Sequence, residues 1–358
     1  MYLSIAFIWT LFSTMAQPLT PERLYNGLDR PVNVRVTAPV ASELILLKAD
    51  GSIIAGPVPV ESDRIDLSKE IAQIWELKRA AYLQLMINGQ PSGTPLVLEP
   101  MRSRMVPQTT NQLRPDGKTP YRRIDAWEDE LEVESEEPPT GEQGDQLENN
   151  PRPNQVDNTD NHLVTGKLMN GLRIYPEQDV KLNTSEGEIL FQLRPDAAPN
   201  TAWNFRQLVD GGFYRLIPFH RIVPLTRDGH GFVIQAGDPT GTGEGGPGYW
   251  LPIEPSTLPH DFGVISMARA DHPDSAGSQI FICLSRQGTG RLDGQYASFG
   301  EAIEGGHVIM AISEARLEDP TAGRPETPPM ILDAVLVDAP ARQPGVVRKP
   351  TSKPTKND

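Results

Sequence analysis

The run Phe219-His220-Arg221-Ile222-Val223-Pro224 sets an arginine inside a stretch otherwise suited to a buried strand. Burying a guanidinium is costly without partners, so a fixed charge in an apolar wall points either to a ligand or to a structural ion pair. Downstream, Phe232-Val233-Ile234-Gln235-Ala236-Gly237-Asp238, Gly277-Ser278-Gln279-Ile280-Phe281-Ile282 and Leu292-Asp293-Gly294-Gln295-Tyr296 supply aromatics, aliphatics and glutamines. Those are the parts of a small apolar pocket with a few polar fingers. Taken singly, Phe281 and Leu292 have an alternative reading as core, and Gln235 and Gln279 as partners for buried backbone. The order arginine, phenylalanine, glutamine is the specific part.

Other chemistries find little support. Gly241, Gly243 and Gly246 have dinucleotide-binding spacing, but Pro247, Gly248, Pro252 and Pro255 follow where that motif needs a helix. Six histidines are scattered without metal-ligand spacing, and no Gly-x-Ser-x-Gly frames a nucleophile. The one cysteine, Cys283, excludes an intrachain disulfide and reads as a small buried hydrophobe among Ile280, Phe281, Ile282 and Leu284. With 33 Lys plus Arg against 47 Asp plus Glu, the net charge of -14 argues against a nucleic-acid or anionic-membrane footprint.

The elements that must position these residues are mainly β. At 358 residues the chain has room for about two domains, and 35 prolines make long helices scarce. Residues 1–16, almost uncharged and apolar, read as a signal peptide cleaved before Gln17, too short for an ordinary transmembrane helix. Residues 17–107 read as a small β-sandwich-like domain, with hairpins at Asp50-Gly51 and Asn88-Gly89 and a short helix capped by Ser68. Residues 108–166 read as an acidic disordered linker, since Asp125 to Glu148 holds eleven acidic residues and no basic one. Residues 339–358 read as a basic, Pro-rich disordered tail. Between them, 167–338 form the domain that carries the pocket, with helices after Pro199 and over His307 to Ala315.

The pocket region resembles the cyclophilin-type peptidyl-prolyl cis-trans isomerases. The likeness rests on Thr184 to Ile189, Ala198-Pro199-Asn200-Thr201 with Asn204-Phe205, Gly212-Phe213-Tyr214, and the Phe219 to Pro224 motif. It continues through Gly237-Asp238-Pro239-Thr240-Gly241-Thr242-Gly243, Ser266-Met267-Ala268, Gly277-Ser278-Gln279 and Phe299-Gly300. About 45% of the chain is covered. The resemblance implies an eight-stranded antiparallel barrel capped by two helices. Arg221, Phe232 and Gln235 are then catalytic; Val233, Phe281 and Leu292 line a proline pocket; Gln279 and the backbone at Ala268 and Arg269 hold the peptide. Tyr296 stands where many members have histidine, Arg291 where many have tryptophan, and Arg269 and Val233 where asparagine and methionine are usual. Loss of the indole donor implies weak cyclosporin binding. Seven residues, Leu225 to Gly231, replace about one, a widened turn that either folds over the pocket or shifts Phe232.

Rotation about an X-Pro bond faces a barrier of roughly 18–20 kcal/mol because amide resonance must be lost. No nucleophile, cofactor or metal is needed, only a surface that holds the proline ring and favours the twisted amide. A permanently protonated arginine can hydrogen-bond the proline carbonyl and assist its nitrogen as that becomes pyramidal. The expected role is folding of proline-containing clients exported to the periplasm or cell envelope, without cofactor, nucleic acid or membrane contact after leader cleavage. The alternative is a catalytically weak proline-peptide binding module of the envelope.

Overall fold

The computed structural model describes residues 17–38, 41–102, 105–114, 116–129 and 169–354. The proposed leader 1–16 and the acidic stretch 130–168 lie outside the described residues. Two compact units divide the chain: Met1–Glu99 with Leu172–Asp179 and Leu336–Lys349, and Pro100–Gly171 with Val180–Val335 and Pro350–Asp358.

The first unit contains a three-stranded sheet (Leu19–Pro21, Asn33–Val36, Arg64–Asp66) and a six-stranded one. The latter runs in the order Tyr25–Gly27, Met169–Pro176, Gln90–Arg102, Ala81–Ile87, Ser42–Leu47, Ile53–Pro59. Both expected hairpins form. Ile87 pairs with Gln90 across Asn88 and Gly89, whose φ values of 50° and 73° are those a two-residue turn needs. The short helix Leu67–Glu70 is capped by Asp66, not Ser68: the Asp66 carboxylate accepts from the Ser68 N–H at 3.2 Å and its hydroxyl at 2.6 Å.

Three boundaries differ from expectation. The tail is ordered through much of its length, because its arginines meet buried carboxylates. Arg342, 4% exposed, donates to both Glu177 oxygens at 2.5 and 2.7 Å and lies over the Tyr82 ring, while Arg348 donates to Asp179. Met169–Pro176 joins the six-stranded sheet rather than opening the pocket domain. The span expected as linker begins with a hairpin, Met105–Leu113 against Pro120–Asp129. Its turn is stabilised by Asp116, whose carboxylate accepts the N–H groups of Lys118 and Thr119 at 2.8 Å each.

In the second unit a sheet orders its strands as Ile217–Pro218, Met330–Asp338, Gln178–Thr184, Gly187–Leu193, Ser298–Glu304, Val264–Met267, Ile280–Cys283, Gly231–Ala236 and Arg221–Leu225. Apart from the two-residue Ile217–Pro218, these are the eight expected strands. Ile280–Cys283 is buried at all four positions, which is why it reads as a continuous apolar run. Helix Pro199–Asp210 has no side-chain cap of its own. Glu254 supplies one from a distance, accepting the N–H groups of Asn200 and Thr201 at 3.0 and 2.7 Å. Phe205, on this helix, packs against Tyr214 and Phe299 with ring centroids 4.9 and 5.1 Å apart. The second helix is Gly306–Ser313. Among the described residues, no helix is long and apolar enough to cross a membrane.

Candidate functional site

The sheet's register assembles the site. Arg221 pairs with Gln235, Gln235 with Phe281, and Phe281 with Ser266, so one row across four strands carries the guanidinium, an amide, an aromatic ring and a hydroxyl. The next row on that face is Val223, Val233 and Cys283. Phe281 and Val233 belong to a buried cluster with Ala197, Leu258, Val264 and Cys283, and Phe232, Ala268, Leu292 and Tyr296 pack against it. The sequence-predicted apolar residues therefore converge, with Val233 and Phe281, 3% and 5% exposed, as floor and the half-buried Phe232, Leu292 and Tyr296 around it. The Tyr296 ring meets Phe281 edge-on at 5.5 Å.

The widened turn extends the hairpin that carries Arg221 and Phe232. From Arg221↔Gln235 to Leu225↔Gly231 the pairing keeps one register, so the extra residues lengthen the hairpin and expose Arg227, Asp228, Gly229 and His230 at its tip.

A chain of amides fixes the arginine. Arg221 Nη1 donates to Gln235 Oε1 at 3.3 Å, Gln235 Nε2 donates to Gln279 Oε1 at 2.9 Å, and Gln279 Nε2 donates to the carbonyls of Gly243 and Gly245 at 2.8 and 2.9 Å. Gln279 thus joins Gln235 to the loop at Gly243 and Gly245. The loop that offers those carbonyls is wound around Asp238. Its fully buried carboxylate accepts from the Thr240 N–H and hydroxyl at 2.7 and 2.8 Å and from the Gly243 N–H at 2.6 Å. Burial alone would raise the Asp238 pKa, but these donors outweigh it and hold it at about 2.

Burial pulls the Arg221 pKa down, Tyr296 opposes that, and the field of Arg114 adds to it. The guanidinium nonetheless remains a permanent donor. Ala268 donates its N–H to the Gln279 carbonyl at 2.8 Å, so that amide is not free for a peptide. The Arg269 side chain lies 4.8 Å over the Tyr296 ring and Arg291 4.8 Å over the Phe232 ring.

Sequence reasoning missed His260 and Asp293. The His260 ring, 1% exposed, stacks on Phe281 with centroids 5.8 Å apart, its Nδ1 2.9 Å from Asp293 Oδ1 and its Nε2 3.0 Å from Ser266 Oγ. Burial pushes its pKa below the usual value despite Asp293, so the ring is neutral: Nδ1–H donates to the carboxylate and Nε2 accepts the Ser266 hydroxyl. Against burial, Arg286 and the His260 N–H groups hold Asp293 at about 2. Nothing local flags a pair separated by 33 positions. The Asp238 loop was more legible, because Asp-Pro-Thr-Gly-Thr-Gly is turn chemistry.

This arrangement keeps Ser266 and His260 of its Asp293–His260–Ser266 chain away from solvent, at 0% and 1% exposed. It offers an apolar recess with one braced cation at its edge, suited to binding a ring and polarising a carbonyl. Residues 179–336 match the family model described as cyclophilin type peptidyl-prolyl cis-trans isomerase/CLD. A peptidyl-prolyl cis-trans isomerase of Synechococcus elongatus is 44% identical over 120 residues, covering 34% of this chain and 77% of the relative. An isomerase of Schizosaccharomyces pombe is 37% identical over 164 residues, covering 44% of this chain and 99% of its own length. A crystal structure of a Cryptosporidium parvum cyclophilin type isomerase, determined in the presence of the dipeptide Ala-Pro, is 32% identical, covers 45% of this chain and all of that one, and superposes with a TM-score of 0.41. With the Schizosaccharomyces pombe relative matched over 99% of its length at 37% identity, the chain belongs to the cyclophilin-type peptidyl-prolyl cis-trans isomerase family.

Proposed function

We propose that this isomerase turns over X-Pro bonds by holding the proline ring among Phe232, Phe281, Leu292 and Tyr296 while Arg221 hydrogen-bonds the rotating amide. The guanidinium donates to the proline carbonyl and favours the pyramidal nitrogen of the twisted state over either planar form. The observation that carries this reading is the brace Arg221–Gln235–Gln279, which fixes a half-buried cation beside the apolar recess at no reorganisation cost. We further propose that its clients are exported polypeptides folding in the periplasm or cell envelope, on the strength of the apolar, uncharged residues 1–16.

The test of the first statement is refolding of a protein limited by a slow proline phase. Catalytic amounts of the chain should shorten that phase, and an unchanged phase overturns the reading. Fractionation of cells expressing the full chain, with N-terminal sequencing, tests the second; product beginning at Gln17 outside the cytoplasm supports it, and cytoplasmic product with an intact N-terminus removes it. Arg291 over Phe232 favours a second reading, a proline-peptide receptor of low turnover. Peptide binding at the pocket without acceleration selects it.

A further inference from the structure

The hairpin Met105–Leu113 and Pro120–Asp129 is not among the parts the family match covers, which begins at residue 179. It nevertheless sits at the pocket's rim. The side-chain amide of Gln295, next to Tyr296, accepts from the Ile124 N–H at 3.0 Å and donates to the Ile124 carbonyl at 2.8 Å. In an antiparallel pair alternate residues turn both main-chain groups outward, and Gln295 fills one such position as a strand would. Ile124 itself is buried, 5% exposed, and a register shift between Ile124 and Ala126 marks the docking point.

Docking brings Arg114, at the hairpin's turn, beside the pocket. Its guanidinium is 58% exposed and lies 3.8 Å from the equally open Asp271, two residues beyond Arg269. Such an exposed pair is weak and readily exchanged. The field of Arg114 reaches Arg221. Arg269 spends its guanidinium on the carbonyls of Gln295, Ala270 and Asp271 rather than on a carboxylate. Arg291 is exposed over Phe232 and makes no ion pair among the described residues.

The contrast with the rest of the domain gives this meaning. Residues 180–338 hold 20 acidic and 11 basic residues. Three of those basic residues, Arg221, Arg269 and Arg291, stand at the pocket, and the hairpin adds Arg114. An acidic body with a cationic recess attracts an anionic ligand to that recess and repels it elsewhere, which is orientation as well as attraction.

Resting on the isomerase reading, we propose that the hairpin arm and the arginines Arg114, Arg269 and Arg291 form a specificity rim that selects X-Pro segments carrying Asp or Glu beside the proline. Arg114 acts as a specificity-determining residue, without contact to the reacting amide.

The full chain would be assayed at low and high salt with short peptides carrying Glu, Ala or Lys at the residue before the proline, and a second set with these at the residue after it. Both kcat/KM and binding, the latter by chemical-shift titration of the peptides, would be measured. The rim predicts a Glu-to-Lys preference of roughly five- to tenfold at one or both flanks, shrinking in salt. Arg114→Glu should bring that ratio to unity or invert it. A misfolded variant lowers all peptides together and leaves the ratio, and Arg114→Lys should restore most of it. A ratio within twofold of unity at both flanks, or one that an Arg114→Glu variant with the parent's circular dichroism and unfolding midpoint does not move, overturns the proposal. If the Ala peptide is not turned over at all, the isomerase reading fails, and the same ratio read from binding still decides the rim.

Discussion

Gln235 stands between Arg221 and Gln279 with both ends of its amide engaged, accepting from the guanidinium at 3.3 Å and donating to the second glutamine at 2.9 Å. The Arg221 guanidinium is thus held from behind by a neutral group, which orients it without spending its charge. Gln235→Ala should lower kcat/KM about tenfold while thermal stability changes little, because the cation stays but its direction is lost. Gln235→Glu should also lose activity: its carboxylate pairs with Arg221 in competition with the amide and no longer donates to Gln279. Peptide-assay kinetics on both variants check this, and full activity in either contradicts it.

The loop behind the second glutamine depends on one carboxylate. Asp238 accepts at least three short hydrogen bonds and is fully buried. Asp238→Asn puts an amide where donors converge and should destabilise the domain by about 1–3 kcal/mol. Activity should fall as well, since Gly243 and Gly245 then no longer present their carbonyls to Gln279. Denaturant unfolding and peptide kinetics read the two effects separately.

Stability should depend on pH in two windows. His260 is neutral in the fold, with a pKa below its unfolded value, so the unfolded state binds the extra proton and stability falls as pH drops below about 6.5. Asp238 and Asp293 are held at about 2, below their unfolded range, so their contribution is complete above about 4 and is lost as pH falls toward 2. Midpoints of thermal unfolding across pH 2–8 should show both declines. Burial lowers the His220 pKa in the same direction, so His260→Gln should shrink the upper decline without abolishing it and keep the lower; an unchanged slope between pH 6.5 and 5 refutes the assignment.

In the first unit, Arg342 and Glu177 form a pair buried to 4% exposure each, beneath the Tyr82 ring. Arg342→Ala leaves the buried Glu177 carboxylate with the longer 3.6 Å contact to Arg348 in place of two short hydrogen bonds and should cost that unit about 3 kcal/mol. Truncation after Asp338 should do at least as much. Chemical denaturation followed by far-UV circular dichroism checks both, and stability within 0.5 kcal/mol of the parent, by the usual range for surface changes, would show that the tail is dispensable.

What could be read from the sequence follows from how local each signal is. Arg221, Phe232 and Gln235 lie within one β-hairpin, and the strand pattern around them specifies their register, so their convergence was legible. Gln279 was legible as a residue of the site, but its hold on the Gly243–Gly245 loop was not, because those carbonyls lie more than thirty positions away. His260 and Asp293 carry no local pattern. The tail misled for a related reason: a run of prolines and cations reads as solvated, and only the fold brings Glu177 to Arg342 across 165 positions. The hairpin Met105–Asp129 escaped because its strands are polar, with Gln108, Asn111, Arg122 and Arg123 exposed and Ile124 alone buried, so no apolar alternation marks them.

Cyclosporin should inhibit weakly, since Arg291 replaces the indole donor that the resemblance associates with that ligand. Arg291→Trp should strengthen inhibition at least severalfold, measured as the inhibitor concentration that halves peptide turnover; no change would mean that another part of the rim excludes the drug.

Arg221 is proposed to lower the barrier to X-Pro rotation. The most direct measurement of that effect is the cis-to-trans rate of one short X-Pro peptide with equal folded amounts of the parent chain and Arg221→Ala, followed by exchange spectroscopy so that no coupling enzyme intervenes. Acceleration by the parent is expected, with a loss of about 10²–10³-fold in kcat/KM for the variant and peptide still bound at the apolar recess. Equal rates for the two proteins would contradict that role.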